Sequence, residues 1–229
     1  HHVNGPGLHP WMGRPIVGRK QLHPNTILLH QAYEKNHENV KALMRKWMSS
    51  DNEPETGVTH SLSVLAAYLV KNAEQGYDPL PEHRAYWVRH FHCVSNLDAS
   101  PEVLVELCSQ IKQFGPIESE TSKQFMQVLT ARILCAPDSR WSAGNIAKAM
   151  LGFRGIYSQT RPDKLCDFPH LMSLLDIIHA KMRAVEEPFA AQEVGHMCYG
   201  LQNFDGNRRD IECLIRTVTG LVETCDDLL

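Results

Sequence analysis

Apolar residues in the C-terminal part of the chain recur at one spacing, twice. Leu171, Leu174, Leu175, Ile178 and Met182 form the first set, and Ile211, Leu214, Ile215, Val218 and Val222 the second. Both follow i, i+3, i+4, i+7, i+11, which puts every member on one face of an α-helix. A related stretch precedes each set. Trp141-Ser-Ala-Gly-Asn-Ile-Ala-Lys-Ala-Met-Leu-Gly-Phe-Arg-Gly155 stands before the first, and Phe189-Ala-Ala-Gln-Glu-Val-Gly-His-Met-Cys-Tyr-Gly-Leu-Gln-Asn203 before the second. At an offset of 48 (200 − 152), Ala143 meets Ala191, Gly152 meets Gly200, Ile146 meets Val194 and Trp141 meets Phe189. The unit is therefore a pair of helices, and it occurs at least twice. One such pair cannot bury both apolar stripes alone, so stacking on neighbours is expected, at a period near that of helix-pair arrays. Ile146, Val194, Leu174, Leu175, Leu214 and Ile215 are the expected core positions.

The two copies differ in one connection. The helices of the second are closer in sequence by 8 residues (48 − 40), because Ile156 to Pro169 inserts a loop with Pro162 and Pro169 into the first. Gly152 and Gly200 sit late in a helix, where glycine costs about 1 kcal/mol relative to alanine. Either a close helix approach requires them or both are helix stops.

Weaker patterns extend the array upstream. A helix is expected from Asn25 or Thr26 to about Lys35, and a second carries Val40, Leu43, Met44 and Trp47 inward. Asp51 to Val58, with Pro54 and Gly57, reads as a linker. Thr59 to about Ala73 is the third helix, with Leu62, Leu65, Ala66 and Leu69 inward, and Gly76 stops it. Pro81 opens the fourth, to about Val94. Ser100-Pro101-Glu102 reads as the start of the fifth, with Leu104, Leu107, Cys108 and Ile111 as its stripe. The sixth runs from about Glu120 to Cys135, with Phe125, Val128, Leu129 and Ile133 inward. No segment alternates with period two for long enough to be a strand. The expected fold is all-α, an α-solenoid of stacked helical hairpins with about ten helices, in a right-handed or gently curved array. Residues 25–140 form divergent hairpins and 141–229 the clearer repeats of one helical-repeat domain.

Residues 1–24 have no apolar period and are rich in glycine and proline, which reads as an extended arm. Charge divides the same way. Residues 1–50 hold seven basic residues against Glu34 and Glu38, a net of +5, while the remainder holds 16 basic and 24 acidic residues, a net of −8. The arm is expected to order only against an anionic partner, with Arg14, Arg19 and Lys20 making charge-assisted contacts and Trp11 as apolar anchor. A plain flexible terminus is the other reading. The chain begins at His1, which leaves a processed terminus and a cloning scar both open. No run approaches a transmembrane span. The seven cysteines form no C-x-x-C pair and most fall inside apolar helical patterns, so buried reduced thiols are expected.

Candidate chemistry is sparse. His90-Phe-His92-Cys93, with His83, is the most metal-like cluster, but His90 and His92 point to different helix faces and no second ligand pair has metal spacing. His196 with Cys198, and Cys166 with His170, resemble a thiol and base only by proximity. No phosphate loop, G-x-S-x-G or H-E-x-x-H is present. The chain is expected not to be an enzyme and to need no cofactor, metal or small-molecule substrate. At equivalent positions of the repeat the first helix carries Asn145 and Glu193, Lys148 and His196, and Arg154 and Gln202. Polar residues recurring at one helix position suit a modular reader of single-stranded RNA. They also suit a plain solvent face. Lys164, Arg208 and Arg209 in the interhelical loops add positive charge, whereas the acidic body weighs against phosphate binding.

The stretch Ala191-Gln-Glu-Val-Gly-His-Met-Cys-Tyr-Gly-Leu-Gln202, with the helix after it, resembles helical repeats of organelle-targeted proteins of protists and algae. These are similar to pentatricopeptide, octotricopeptide and heptatricopeptide repeats. The resemblance covers residues 141–229, with a looser echo from Leu80 to Phe114. It implies an α-solenoid that binds organellar RNA or serves as adaptor in an organellar ribonucleoprotein, in the mitochondrial matrix ahead of the plastid stroma. The alternatives are an accessory or assembly subunit of another large organellar complex, for example respiratory or photosynthetic, acting through protein–protein contacts alone, and, third in order, an enzyme whose site the sequence hides.

Overall fold

The computed structural model describes residues 22–49, 61–91, 100–156, 162–223 and 225. Trp11, Arg14, Arg19, Lys20, His92 and Cys93 lie outside them, as does the linker from Asp51 to Val58. Ten α-helices are present among the described residues, and no strand. They are α1 (Pro24–Lys35), α2 (His37–Ser49), α3 (Leu62–Gln75), α4 (Pro81–Phe91), α5 (Pro101–Ser109), α6 (Glu120–Cys135), α7 (Ala143–Gly152), α8 (Pro169–Ala184), α9 (Ala191–Leu201) and α10 (Arg209–Glu223).

Local chemistry sets the boundaries. Ser61, Ser100 and Ser142 cap α3, α5 and α7, each Oγ accepting from the backbone N–H three residues on, at 3.2 Å from Val64, 3.5 Å from Val103 and 3.1 Å from Asn145. That hydrogen bond satisfies one of the free donors of the first turn. The cap of α9 is Ala190, which has no acceptor of its own. Instead Glu193 reaches back, and its Oε2 accepts from the Ala190 N–H at 2.8 Å. At the start of the chain the helix begins one residue before the expected cap. Pro24 is its first residue, and His23 Nδ1 accepts from the Asn25 N–H at 3.2 Å. Gly76 closes α3 at φ 70°, a left-handed backbone that glycine adopts without strain.

The helices pack in an ordered ladder. α1 lies against α3, α3 against α5, α5 against α7 and α7 against α9. A second series runs from α4 to α6 to α8, and α1–α2, α5–α6, α7–α8 and α9–α10 pack as pairs. His179 Nε2 and Thr217 Oγ1, 3.0 Å apart, join α8 to α10. One apolar core runs through the ladder from Leu29 to Val218. Phe114 and Phe125 stack at 3.9 Å between ring centres, and Phe91 stacks on Phe125 at 5.3 Å. The long connection between α7 and α8 joins this core through Leu165 and Cys166, both buried. A buried ammonium pins α8 to the turn after α6: Lys181 Nζ donates to the Ala136 carbonyl and to Asp138 Oδ1 at 2.6 Å.

The glycine pair is explained by close approach. A Cβ on Gly152 would lie 2.8 Å from the Cys108 carbonyl oxygen in α5, and a Cβ on Gly200 would lie 2.0 Å from that of Met150 in α7. Neither distance leaves room for a side chain, so these glycines set the spacing of the row from α5 to α9. The approach is to the first helix of the preceding pair. Gly152 is the last residue of α7 but keeps right-handed helical backbone (φ −57°) into the 3-10 turn, and Gly200 lies inside α9, so close approach rather than a glycine stop accounts for both.

Two expectations about burial need correction. Ile146, Val194, Leu174, Leu175 and Leu214 are buried, but Ile215 is 38% exposed. The equivalent Leu175 is 1% exposed. The two helices have the same stripe and differ in their neighbours: no described element covers the far side of α10. The cysteines were expected to be buried, yet Cys135, Cys198 and Cys213 are exposed and Cys225 is half-buried; only Cys108 and Cys166 among the described ones are in the interior.

Several polar groups in the core are tied to one another. Tyr33 donates to Asn72 and, at 3.2 Å, to the Tyr68 carbonyl. Tyr68 Oη and His83 Nδ1 are 2.8 Å apart. Burial pushes the Tyr68 hydroxyl up to about 12. It also holds His30, His83, His170 and His179 below the ordinary histidine value of 6.5, with desolvation the first cause in each. The unfolded chain then binds more protons than the folded one as pH falls through about 6.5, so folding stability is full above that value and declines below it. The expected result is a melting temperature that rises from about pH 5 to about pH 7 and levels off above, with a shallower rise in His83→Gln. A flat profile would exclude these histidines as the buried neutral groups.

Candidate nucleic-acid interface

α5 and α7 end side by side, each followed by a short 3-10 turn, Ile111–Phe114 and Phe153–Gly155. The close approach at Gly152 brings these turns together. Between them lies a groove of about 450 Å³ lined by Ser109, Lys112, Lys148, Leu151, Gly152, Arg154 and Gly155. Three of those side chains are cations. Lys112 packs along the chain at Gly155, where a Cβ would come within 2.9 Å of its Cδ. The Arg154 guanidinium lies over the Tyr199 ring, 5.0 Å from its centre, and Tyr199 is 54% exposed. This cation–π contact is worth about 0.5–1 kcal/mol at an exposed site.

The sequence places Lys148 and Arg154 among the candidate contacts but misses Lys112 and Tyr199. A signal for Lys112 exists. Aligning Ser100 with Ser142 gives an offset of 42 (142 − 100), and Lys112 then falls on Arg154. The third copy has Gln202 there.

The remaining candidates are separated. Asn145 Nδ2 donates to Glu102 Oε1 at 3.5 Å, and Lys148 Nζ pairs with Glu106 Oε2 at 3.0 Å. Both contacts cross from α7 to α5, so part of the polar row joins neighbouring helices. Glu193 is taken up by the α9 cap, His196 is half-buried, and Gln202 borders a different hollow, between α9 and α10. Lys164 lies 3.8 Å from Asp167, and Arg208 lies 3.3 Å from Asp167 and 3.6 Å from Asp210. These loop cations are thus beside carboxylates. Arg209 stands exposed as the first residue of α10. Of the expected residues that are described, the fold brings Lys148 and Arg154 to one groove and leaves the others elsewhere.

The Lys148–Glu106 pair does not remove Lys148 from consideration. Such an exposed pair is worth about 0–1 kcal/mol, little enough for a phosphate oxygen to replace the carboxylate. The groove thus offers ammonium and guanidinium groups for a phosphodiester and an aromatic face at its edge, while the Ser109 hydroxyl donates to the Glu106 carbonyl at 2.7 Å.

Several members of the other constellations hold contacts within the chain. His83 is bound to Tyr68, and His90 Nδ1 lies 2.8 Å from the Tyr86 carbonyl. His170 Nε2 lies 3.2 Å from the Ile117 carbonyl, while burial raises the Cys166 thiol above its ordinary value, opposite to what a nucleophile needs. Among the described residues no group of three His, Cys, Asp or Glu side chains is placed to hold a metal, and no helix is long and apolar enough to cross a membrane. Comparison with known proteins returns no match, whether to a family model, a curated protein or a solved structure.

Proposed function

We propose that the protein is a non-catalytic α-solenoid adaptor in an organellar ribonucleoprotein, and that it touches single-stranded RNA at the α5–α7 groove. The ladder of first helices from α1 to α9, with its glycine-set spacing, supports the solenoid reading. The observation that carries the RNA contact is the convergence of Lys112, Lys148 and Arg154 on one groove beside the exposed Tyr199 ring. Phosphates between such cations and a base stacked on an aromatic or guanidinium plane are the usual terms of single-strand binding. The organelle, with the mitochondrial matrix first, rests on the repeat resemblance.

The test is a gel-shift titration with an unstructured oligoribonucleotide at several salt concentrations. Lys112→Glu with Arg154→Glu should weaken binding at least tenfold and flatten the salt dependence by about 1.4 in log–log slope, two phosphate contacts at about 0.7 each. Tyr199→Ala should weaken binding with the slope unchanged. Wild-type protein that shifts no RNA, or a double variant that binds as well as wild type, would sink the RNA contact.

A second reading has its own support. Asn145–Glu102 and Lys148–Glu106 spend reader positions on contacts inside the chain. That favours an accessory subunit held in a large complex by protein contacts alone. The mass of the native particle, which names the partners, separates the two.

A further inference from the structure

The apolar side chains left on the surface are not scattered. Of the seven large hydrophobic residues exposed among the described ones, Leu134 alone lies in the middle of the ladder. Leu22, Ile27 and Leu28 lie at the α1 end, and Tyr199, Ile215 and Val222 at the α9–α10 end. Arrays of stacked repeats stay soluble when their terminal units turn polar faces outward. Each end of the described ladder instead leaves large apolar side chains exposed among its polar ones.

The α9–α10 end repeats a surface already used twice in the chain. Cys108 on α5 receives Gly152 of α7, and Met150 on α7 receives Gly200 of α9. The next equivalent is Cys198 on α9 (150 + 48), which is exposed, with Tyr199 beside it. On α10, Ile215 and Val222 are each 38% exposed, although their equivalents Leu175 and Met182 in α8 are 1% and 3% exposed. Cys198, Leu201, Ile215, Val218 and Val222 line a hollow of about 260 Å³ there. At the other end, α1 buries Thr26, Leu29, Ala32 and Tyr33 inward, and Ile27 and Leu28 stand on the opposite side, where a preceding first helix would lie.

We infer that the α9–α10 face of one chain receives the α1 face of a second copy, so that the ladder continues from molecule to molecule. The contact is head-to-tail. Each chain offers one acceptor face and one donor face, and the two are different surfaces. α1 would meet α9 through side chains, because no glycine occupies its outward face. The inference rests on the ladder and the exposed ends, and shares only Tyr199 with the RNA contact.

The experiment is light scattering or sedimentation of the 229-residue protein over a range of concentrations, without nucleic acid. Wild type should rise above the 26.0 kDa of one chain as concentration increases. Ile215→Asp and Ile27→Asp, both at exposed positions, should each stay monomeric, with unchanged circular dichroism and melting to show that the fold is kept. Mixing the two variants in equal amounts should restore a dimer and nothing larger, because one retains the donor face and the other the acceptor. Wild type that is monomeric throughout would overturn the inference. So would a mixture that stays monomeric, and so would self-association of either variant alone, which points to a like-with-like or unspecific contact.

Discussion

Gly200→Ala should destabilise the protein by about 3 kcal/mol or more, although alanine is the better helix former by about 1 kcal/mol. The added methyl would lie 2.0 Å from the Met150 carbonyl oxygen and 2.5 Å from its carbon. Both are backbone atoms in the middle of the ladder, so no side chain can turn away, and α9 must separate from α7. Overpacking of this kind costs typically about 1–3 kcal/mol and sometimes more. Gly195 gives the control on the same helix. A Cβ there meets nothing within 4 Å. Gly195→Ala should therefore raise stability by up to about 1 kcal/mol. Gly152→Ala, with its carbonyl contact at 2.8 Å, should fall between. Thermal melts of the three variants read the order directly. Equal melting temperatures for Gly200→Ala and Gly195→Ala would mean that the helices are not in backbone contact.

The second large effect separates two adjacent residues of one helix. Leu214 is 1% exposed and Ile215 is 38% exposed. Leu214→Ala should cost about 2–5 kcal/mol, the range for a large side chain removed from a packed core. Ile215→Ala should change stability by no more than about 0.5 kcal/mol, as at an ordinary surface position. Denaturant titration at low protein concentration keeps the reading free of self-association. Comparable losses in both variants would mean that the outer side of α10 is covered within the molecule.

That contrast marks how far the sequence reaches. The spacing of Leu171, Leu174, Leu175, Ile178 and Met182 and its copy in α10 determined by themselves that the chain is helical and that the helices come in pairs, because period is a property of the chain alone. α6 lies where the apolar pattern puts it, α10 spans the whole Ile211–Val222 stripe, and Ser100 caps α5 as its side chain predicts. Exposure is different. Leu175 and Ile215 hold equivalent positions, and only the presence or absence of a neighbouring element decides which is buried. The same holds for Cys198 and Cys213, which read as interior thiols in an apolar pattern but face outward on the last pair.

The groove was legible only in part, for a related reason. Lys148 and Arg154 stand out as polar positions of the repeat, and their offset to Lys112 is present in the residues. Nothing local says that Gly152 lets α7 sink onto α5 until their turns meet, or that Tyr199 comes up beneath the Arg154 guanidinium. Nor does it say that Asn145 and Lys148 turn toward Glu102 and Glu106 while Lys164 and Arg208 turn toward Asp167. Side-chain period determined the helices and their pairing. Which polar groups meet, and which apolar faces stay open, followed from helix-to-helix distances that glycine sets across 44 to 50 residues of chain (152 − 108 and 200 − 150), and only the tertiary structure decided them.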